Sequence, residues 1–202
     1  MKSVTLHVTD LDSYAWYLKL QSISDMEMKG RLLRTEPSNE KMRIGTAWHS
    51  VMEDATSGQI NKVEKNGYAF SVDCDCKIIL PQICEVRAKK DYLIDGIGGI
   101  NVTLSGKTDG ISGNKITDHK LTFNPHPENY FEAYQWRTYL DIFNADSFEY
   151  IIYTAKQKDA EITIKEVSMM TFYRYPGMEK DIERGIRDLL GFIKERVPEM
   201  IR

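Results

Sequence analysis

A turn signal between two strand-like stretches places the strongest constraint on the fold. Ser112-Gly113-Asn114 lies between Ile111 and Lys115, and this predicts a β-hairpin because glycine and asparagine tolerate the backbone of tight turns. The stretch before the turn ends in Gly106-Lys107-Thr108-Asp109-Gly110, and the stretch after it contains Asp118-His119-Lys120. Since side chains alternate between the two faces of a strand, Asp118 and Lys120 share a face.

Two carboxylates and a lysine on this hairpin favour a particular chemistry. Asp109 and Asp118 can hold a hard divalent cation, and Lys120 beside it suits attack by water on a phosphodiester. Each motif alone also has an ordinary explanation: Asp109 precedes a glycine and fits a turn, and Asp118 with Lys120 fits a surface charge pair. Metal-dependent cleavage of nucleic acid is therefore a hypothesis that needs support from the rest of the chain.

The remaining pattern predicts helices before and after a β-rich middle. Helices are expected from Thr9 or Asp10 through Leu18, from about Met42 to Thr56 with an end at Ser57-Gly58, from about Pro127 to Phe143, and from about Met178 to Val197. Strands are expected within Tyr68 to Leu121, at Phe148 to Ala155 and at Ile162 to Tyr173, with loops at 30–41 and 122–127 and a helix or loop at 58–68. This order predicts an α/β (α+β) fold, a central mixed β-sheet flanked by helices, in a single domain over residues 1–202.

The composition of the chain limits the cellular location and the binding partners that we expect. No stretch approaches about 18 consecutive apolar residues and the N-terminus lacks the apolar core of a signal peptide, so we expect a cytoplasmic protein with no membrane partner. The net charge of −3 counts mildly against nucleic acid, although local fields matter more. Residues 29–43 hold five basic and two acidic side chains, a local charge of +3, and Arg87, Lys89 and Lys90 form a second basic group. Each group is either a phosphate-contacting patch or an ordinary solvated face.

Two further motifs lie on predicted helices. His49 follows Gly45 by four residues and shares a helix face with Glu53, and a neutral imidazole is a suitable ligand for Mn²⁺. Gln135 and Tyr139 also share a face, and an amide and a phenol can hydrogen-bond a water molecule or a phosphate oxygen. Pairs at this spacing also occur in ordinary amphipathic helices, so their order along the chain carries more weight than either pair.

The ordered set of motifs resembles the PD-(D/E)XK nuclease superfamily. It consists of Gly45-x-x-x-His49, Gly106-x-x-Asp109, Asp118-x-Lys120 and Gln135-x-x-x-Tyr139. The resemblance is to the branch with the RecB and AddB nuclease domains and phage or RecE-type exonucleases; it is strong over residues 45–139, and residues 8–14 look like that branch's opening helix. It implies a restriction-endonuclease-like core and a metal-dependent DNA nuclease, an exonuclease in the first instance, that hydrolyses phosphodiester bonds in recombination or repair, with a phage origin among the expectations.

The resemblance also implies a role for each matching residue. Metal binding falls to His49, Asp109, Asp118 and the backbone carbonyl of His119, and catalytic roles fall to Lys120, Gln135 and Tyr139. Lys120 would position or help deprotonate the attacking water and stabilise developing negative charge. Gln135 would hold the lysine, the water or the scissile phosphate, and Tyr139 would support that contact. The expected cofactor is Mg²⁺ or Mn²⁺, and a further acidic ligand from Glu53 or Glu85 stays open.

Departures from the branch limit what it implies. Several members carry four cysteines that bind an iron–sulfur cluster, whereas this chain has three, Cys74, Cys76 and Cys84, so no cluster is expected. The expected partners are DNA and a single-strand annealing protein or another recombination protein, and a homo-oligomer stays open. The alternatives are a catalytically inactive nucleic-acid-binding module of the same fold, a structure-specific endonuclease, and an interaction protein in which the motifs are coincidental.

Overall fold

A mixed β-sheet with helices on both faces forms the fold, which confirms the predicted α/β class. The computed structural model describes residues 2–20, 22–55, 60, 62–75, 78–94 and 99–202. The helices are α1 (Val8–Lys19), α2 (Asp25–Leu33), α3 (Glu40–Asp54), α4 (Pro127–Glu132), α5 (Tyr134–Ile142) and α6 (Met178–Arg196), with a 3₁₀ turn at Pro198–Met200. The strands are β1 (Ser3–His7), β2 (Lys62–Lys65), β3 (Tyr68–Val72), β4 (Ile83–Leu93), β5 (Asn101–Ser112), β6 (Lys115–Thr122), β7 (Ser147–Lys158) and β8 (Glu161–Tyr173).

The sheet combines parallel and antiparallel pairs. Its strand order is β1-β5-β6-β7-β8-β3-β2, and β4 pairs with β5 outside this path. The pairs β1–β5, β6–β7 and β3–β8 are parallel, whereas β4–β5, β5–β6 and β7–β8 are antiparallel. The predicted hairpin is β5–β6, and its turn contains Gly113 at a φ of 59°, a conformation that glycine adopts without strain.

Each face of the sheet has its own hydrophobic core. On one face, α1, α2, α5 and α6 bury apolar side chains such as Leu11 and Ile186 against the sheet. On the other face, α3 packs Trp48 against Phe70 and Tyr153. Successive residues of β7 point to opposite cores, because strand side chains alternate. Within the described ranges, every helix is too short or too polar to cross a membrane.

Several predicted boundaries are wrong for identifiable reasons. Strand β1 was not predicted, because it has only two buried positions and its partner β5 lies about a hundred residues away in the chain. Helix α2 extends to Leu33, inside the predicted loop at 30–41; it begins with a capping box between Ser24 and Glu27. The predicted helix from about Pro127 to Phe143 is interrupted at Ala133, which has an extended ψ of 140°.

Strand β2 occupies part of the segment expected to be a helix or loop at 58–68, and it pairs with β3 through a turn at Asn66-Gly67. The predicted helix end at Ser57-Gly58 lies outside the described residues. Ile78-Ile79-Leu80 lies within the stretch predicted to be rich in strands, but it is irregular.

A buried carboxylate anchors α5 to its surroundings. The side chain of Asp141 is 1% exposed and accepts hydrogen bonds from Lys90 Nζ at 2.8 Å and from Tyr92 Oη at 2.5 Å. Arg174 lies 3.6 Å from the same carboxylate. Because these partners come from β4 and from the segment after β8, Asp141 fixes α5 relative to two other parts of the fold.

Asp141→Ala is expected to lower the free energy of unfolding by about 2–4 kcal/mol, because it leaves partly buried donors and cations without their acceptor. Urea denaturation measures this loss. The matched control is Glu132→Ala, which breaks the exposed ion pair with Lys19 and should cost about 0–1 kcal/mol. Equal losses in the two variants would contradict the structural role of Asp141.

Candidate functional site

The predicted site residues surround a place where two neighbouring strands separate. Strands β5 and β6 are paired only from Gly110–Thr117 to Ser112–Lys115, and beyond this point β6 continues along β7 as far as Thr122. On the same side of β5, pairing with β1 ends at Ser105. We call the region between residues 106–109 of β5 and residues 118–120 of β6 the strand gap.

Side chains satisfy backbone groups that the missing ladder would otherwise have paired. The amide of His119 donates to Asp109 Oδ2 at 2.7 Å, and Tyr139 Oη donates to the carbonyl of Lys107 at 2.7 Å. Buried backbone groups need such partners, since leaving them unpaired is costly. The N–H and C=O of a strand residue point to the same side, so the His119 carbonyl faces the strand gap as well.

Tyr139 reaches Lys107 because Gly106 leaves room for its ring. A Cβ atom at Gly106 would lie 2.5 Å from Tyr139 Cε1, far inside van der Waals contact. The Tyr139 side chain is 3% exposed and stacks on Phe148, so it has little freedom to move away. The phenol predicted to support a phosphate contact is thus engaged in holding β5 at the strand gap.

The imidazole of His49 closes one side of the strand gap. His49 Nδ1 lies 3.0 Å from Asp109 Oδ2, and both side chains are partly exposed. Burial lowers the pKa of His49, but the hydrogen bond to Asp109 and the charges of Asp109 and Asp118 raise it above its ordinary value. Burial would raise the pKa of Asp109, but His49, Lys120 and the His119 amide together hold it below its ordinary value.

Asp118, Lys120 and Gln135 form a second cluster on the α5 face of the sheet. Gln135 Nε2 donates to Asp118 Oδ1 at 2.9 Å, and Tyr150 Oη donates to Gln135 Oε1 at 3.2 Å. Lys120 Nζ forms an ion pair with Asp118 Oδ2 at 2.7 Å, although this buried oxygen accepts no well-oriented hydrogen bond from any described residue. Burial raises the pKa of Asp118. Burial lowers the pKa of Lys120, but the charges of Asp118 and Asp109 raise it above its ordinary value.

The His119 side chain lies on the opposite face from Asp118 and Lys120, as the strand alternation predicts. Its Nδ1 lies 2.9 Å from Tyr153 Oη, and its Nε2 is buried without a hydrogen-bond partner in the described structure. Burial lowers the pKa of His119 to about 4, so the ring is neutral.

A small pocket with room for about one water molecule lies between α3 and the strand gap. His49, Asp109 and His119 line it together with the acidic residues left open by the sequence, Glu53 and Glu85. Glu85 forms an ion pair with Lys107. It also has a φ of 60°, which interrupts β4 opposite Asp109; non-glycine residues in this conformation are strained and cluster at functional sites.

The donor atoms suit a hard divalent cation, but internal partners occupy them. Asp109 and Asp118 offer carboxylate oxygens, which Mg²⁺ and Mn²⁺ prefer. The buried Asp118 Oδ2 forms an ion pair with Lys120 but accepts no well-oriented hydrogen bond from any described residue. No group of three or more His, Cys, Asp or Glu side chains in those residues is already arranged as a metal site. In this arrangement Asp109 Oδ2 is bound by His49 and the His119 amide, and Asp118 Oδ2 is paired with Lys120.

The structure adds one residue that the sequence analysis did not assign. Asp12 of α1 accepts a hydrogen bond from the amide of Tyr134, the first residue of α5, at 2.5 Å. Burial raises the pKa of Asp12 to about 6, although the amides of Tyr134 and Gln135 and the charge of Lys120 oppose this shift. No local pattern could have indicated this contact, since Asp12 and Tyr134 lie far apart in the sequence.

Comparisons with solved structures show a shared fold. The crystal structure of SSO0001 is similar with a TM-score of 0.54 at 15% identity, covering 92% of this chain and 75% of that chain. Weaker similarity links the chain to an alkaline exonuclease (LHK-Exo) from Laribacter hongkongensis, with a TM-score of 0.46, 13% identity and coverage of 97% and 89%. A phage related exonuclease from Haemophilus somnus 129PT has a TM-score of 0.39, 10% identity and coverage of 96% and 82%. No protein-family model and no curated protein matches the sequence.

Gly106→Ala is expected to lower the free energy of unfolding by about 1–3 kcal/mol, because the new methyl group overlaps the fixed Tyr139 ring. The matched control is Gly191→Ala in α6, where a Cβ meets no atom within 4 Å among the described residues. That change should raise the free energy of unfolding by about 0.5–1 kcal/mol through helix propensity. Urea denaturation of both variants tests the prediction, and a shift of the same sign in both would refute it.

Asp12 should make stability depend on pH. Its pKa is about 6 in the folded chain and has an ordinary value of 3.8, so the folded state binds the proton more tightly than the unfolded state. The stability that Asp12 contributes is therefore fully present below about pH 4 and is lost as the pH rises through about 6. Between pH 4 and pH 7 the free energy of unfolding of the wild type, measured by chemical denaturation, should fall by about 1–3 kcal/mol more than that of Asp12→Asn. Parallel pH profiles for the two proteins would contradict the prediction.

Proposed function

We propose that this protein is a divalent-metal-dependent nuclease that hydrolyses phosphodiester bonds at the strand gap. One observation carries the proposal. Asp109, Asp118 and Lys120 come together with His49 where β5 and β6 separate, although His49 lies about sixty residues before Asp109 in the chain. A coincidental set of short motifs would have no reason to converge on one irregularity of the sheet.

The residues fit Mg²⁺ or Mn²⁺ as the cofactor. Asp109, Asp118, the His119 carbonyl and His49 would hold the metal, and Glu53 or Glu85 lies on the cavity side of the same place. A bound divalent ion would polarise the phosphodiester and lower the pKa of a bound water. The hydrogen bond from the His119 amide already orients the Asp109 carboxylate toward the strand gap. No iron–sulfur cluster is proposed.

The other residues of the site prepare it for a negatively charged substrate. The Lys120 ammonium, within 2.7 Å of Asp118, can hold the attacking water and stabilise negative charge that develops on the phosphate. Gln135 holds Asp118 through its amide nitrogen, so it fixes the carboxylate next to Lys120. Tyr139 acts indirectly, because its hydroxyl donates a hydrogen bond to the Lys107 carbonyl and so holds β5 in place.

The finer assignments rest on the resemblance of the four motifs to the nuclease superfamily. They are a single nuclease domain over residues 1–202, DNA as the substrate, exonuclease action, and a cytoplasmic role in recombination or repair with a phage origin. A single-strand annealing protein is the proposed partner, and ring-like self-assembly is compatible with the same resemblance. An endonuclease that recognises DNA structure is the competing form of the activity.

A catalytically inactive DNA-binding module is the second candidate. One observation favours it: the carboxylate oxygens are bound by His49, Lys120 and the His119 amide within the protein. A metal would have to displace at least some of these partners, whereas an inactive module would keep them.

Cleavage of end-labelled linear DNA and of circular DNA, with Mg²⁺ or Mn²⁺, separates these functions. We expect metal-dependent release of nucleotides from linear DNA, and the position of the label gives the polarity of digestion. Cutting of circular DNA would instead identify an endonuclease. Absence of cleavage with DNA binding retained would support the inactive module.

Lys120→Ala should reduce cleavage by at least about 100-fold, because it removes the only cation paired with Asp118 among the described residues. The matched control is Lys115→Ala, which removes a lysine from the same strand, also paired with a carboxylate, that of Glu149 at 2.9 Å. Cleavage by this control should stay within about threefold of the wild type. Wild-type activity in Lys120→Ala would contradict the proposed mechanism.

A further inference from the structure

The helix that carries Gln135 and Tyr139 is capped from another helix. Helix α5 begins at Tyr134 after Ala133, which supplies no side-chain cap of its own. Asp12 of α1 takes that place, since its Oδ1 accepts the hydrogen bond from the Tyr134 amide at 2.5 Å. A carboxylate at the start of a helix satisfies an otherwise unpaired N–H group and interacts favourably with the helix dipole.

This cap lies one residue from the part of α5 that acts in the site. Gln135 follows Tyr134 directly, and its side chain bridges Asp118 Oδ1 and Tyr150 Oη. Because Gln135 is in the first turn, its position depends on where α5 begins. The cap therefore determines the position of the amide that orients Asp118.

Asp12 interacts electrostatically with charged residues at the strand gap. The Lys120 charge stabilises the ionised form of Asp12, and Asp12 raises the pKa of the Tyr150 phenol that binds Gln135. Asp12 thus interacts electrostatically with the cluster of Asp118, Lys120 and Gln135, while its carboxylate binds the amide of Tyr134 next to Gln135. Arg137, another cation near Asp12, is one turn further along α5 and stacks on Trp136.

We propose that Asp12 is a positioning residue for the site: by capping α5 from α1, it holds Gln135 in contact with Asp118. This inference rests on the proposed nuclease function, because it assigns Asp12 a role in that reaction. Asp12 is then a residue of α1 that contributes to the proposed nuclease site. Asp12 acts through Gln135 and does not touch the substrate.

Nuclease kinetics of Asp12 and Gln135 variants test the proposal. Asp12→Ala should reduce kcat at least about tenfold and change KM by less than about threefold, because the site is misoriented while the substrate contacts remain. Asp12→Asn keeps an acceptor of the same size and should restore kcat to within about threefold of the wild type. In Gln135→Ala, adding Asp12→Ala should have no further effect, since residues that act in series are not additive. If Asp12→Ala does not fold, Asp12→Glu replaces it, because the extra methylene moves the oxygen away from Tyr134.

The matched control is Ser24→Ala. Ser24 caps α2 through the amide of Glu27, so its loss also removes an N-cap but leaves α5 unchanged, and kcat should stay at the wild-type value. If kcat fell as much in Ser24→Ala as in Asp12→Ala, the effect of Asp12→Ala would be explained by general destabilisation, and the proposal would be overturned. Additive losses in the Asp12→Ala, Gln135→Ala double variant would overturn it as well.

A second readout does not depend on activity. The NMR signals of the Gln135 side-chain amide should shift in Asp12→Ala and return to their wild-type positions in Asp12→Asn. Unchanged signals in Asp12→Ala would overturn the positioning role even in a protein that cleaves DNA. A wild type without nuclease activity, in contrast, would contradict the proposed function, and the NMR comparison would still show whether Asp12 holds Gln135.

Discussion

The separation of β5 from β6 is the constraint on which the rest of the site depends. Strand β5 is held along its length by β4, and β6 is held by β7, so the two strands diverge after the Gly110–Thr117 pair. This divergence leaves backbone groups that need other partners. Asp109 and Tyr139 provide them by binding the His119 amide and the Lys107 carbonyl. The Asp109 carboxylate, which satisfies the unpaired His119 amide, is thereby placed where it can bind a ligand.

The strand gap also lets the two faces of the sheet contribute to one site. Helix α3 brings His49 to Asp109 from one face, and α5 brings Gln135 to Asp118 from the other. In a fully paired sheet the ladder would separate these groups. The buried Asp118 and the partly buried Asp109 are compensated by nearby positive charge and hydrogen-bond donors, as charges removed from water require. A metal that replaces part of this internal pairing would therefore meet oxygens that are already oriented.

The sequence predicted the parts of the site that depend on local pattern and chain order. The hairpin turn at Ser112-Gly113-Asn114 and the shared face of Asp118 and Lys120 follow from turn chemistry and strand alternation, and the structure confirms both. The contacts of Tyr139 with Lys107 and of Asp12 with Tyr134 could not be predicted. Both depend on how distant elements pack, and neither residue has a local neighbour that indicates its partner. Strand β1 was missed for the same reason, because only its pairing with β5 defines it.

Titration calorimetry with Mn²⁺ tests most directly whether the strand gap is a metal site. The wild type should bind Mn²⁺, and Asp118→Asn should weaken binding at least about tenfold, because the variant loses the charge of a buried carboxylate that lies beside Asp109. The control Asp146→Asn changes an aspartate before β7, away from the strand gap, and should bind as the wild type does. Equal affinity of the wild type and Asp118→Asn for Mn²⁺ would contradict the account.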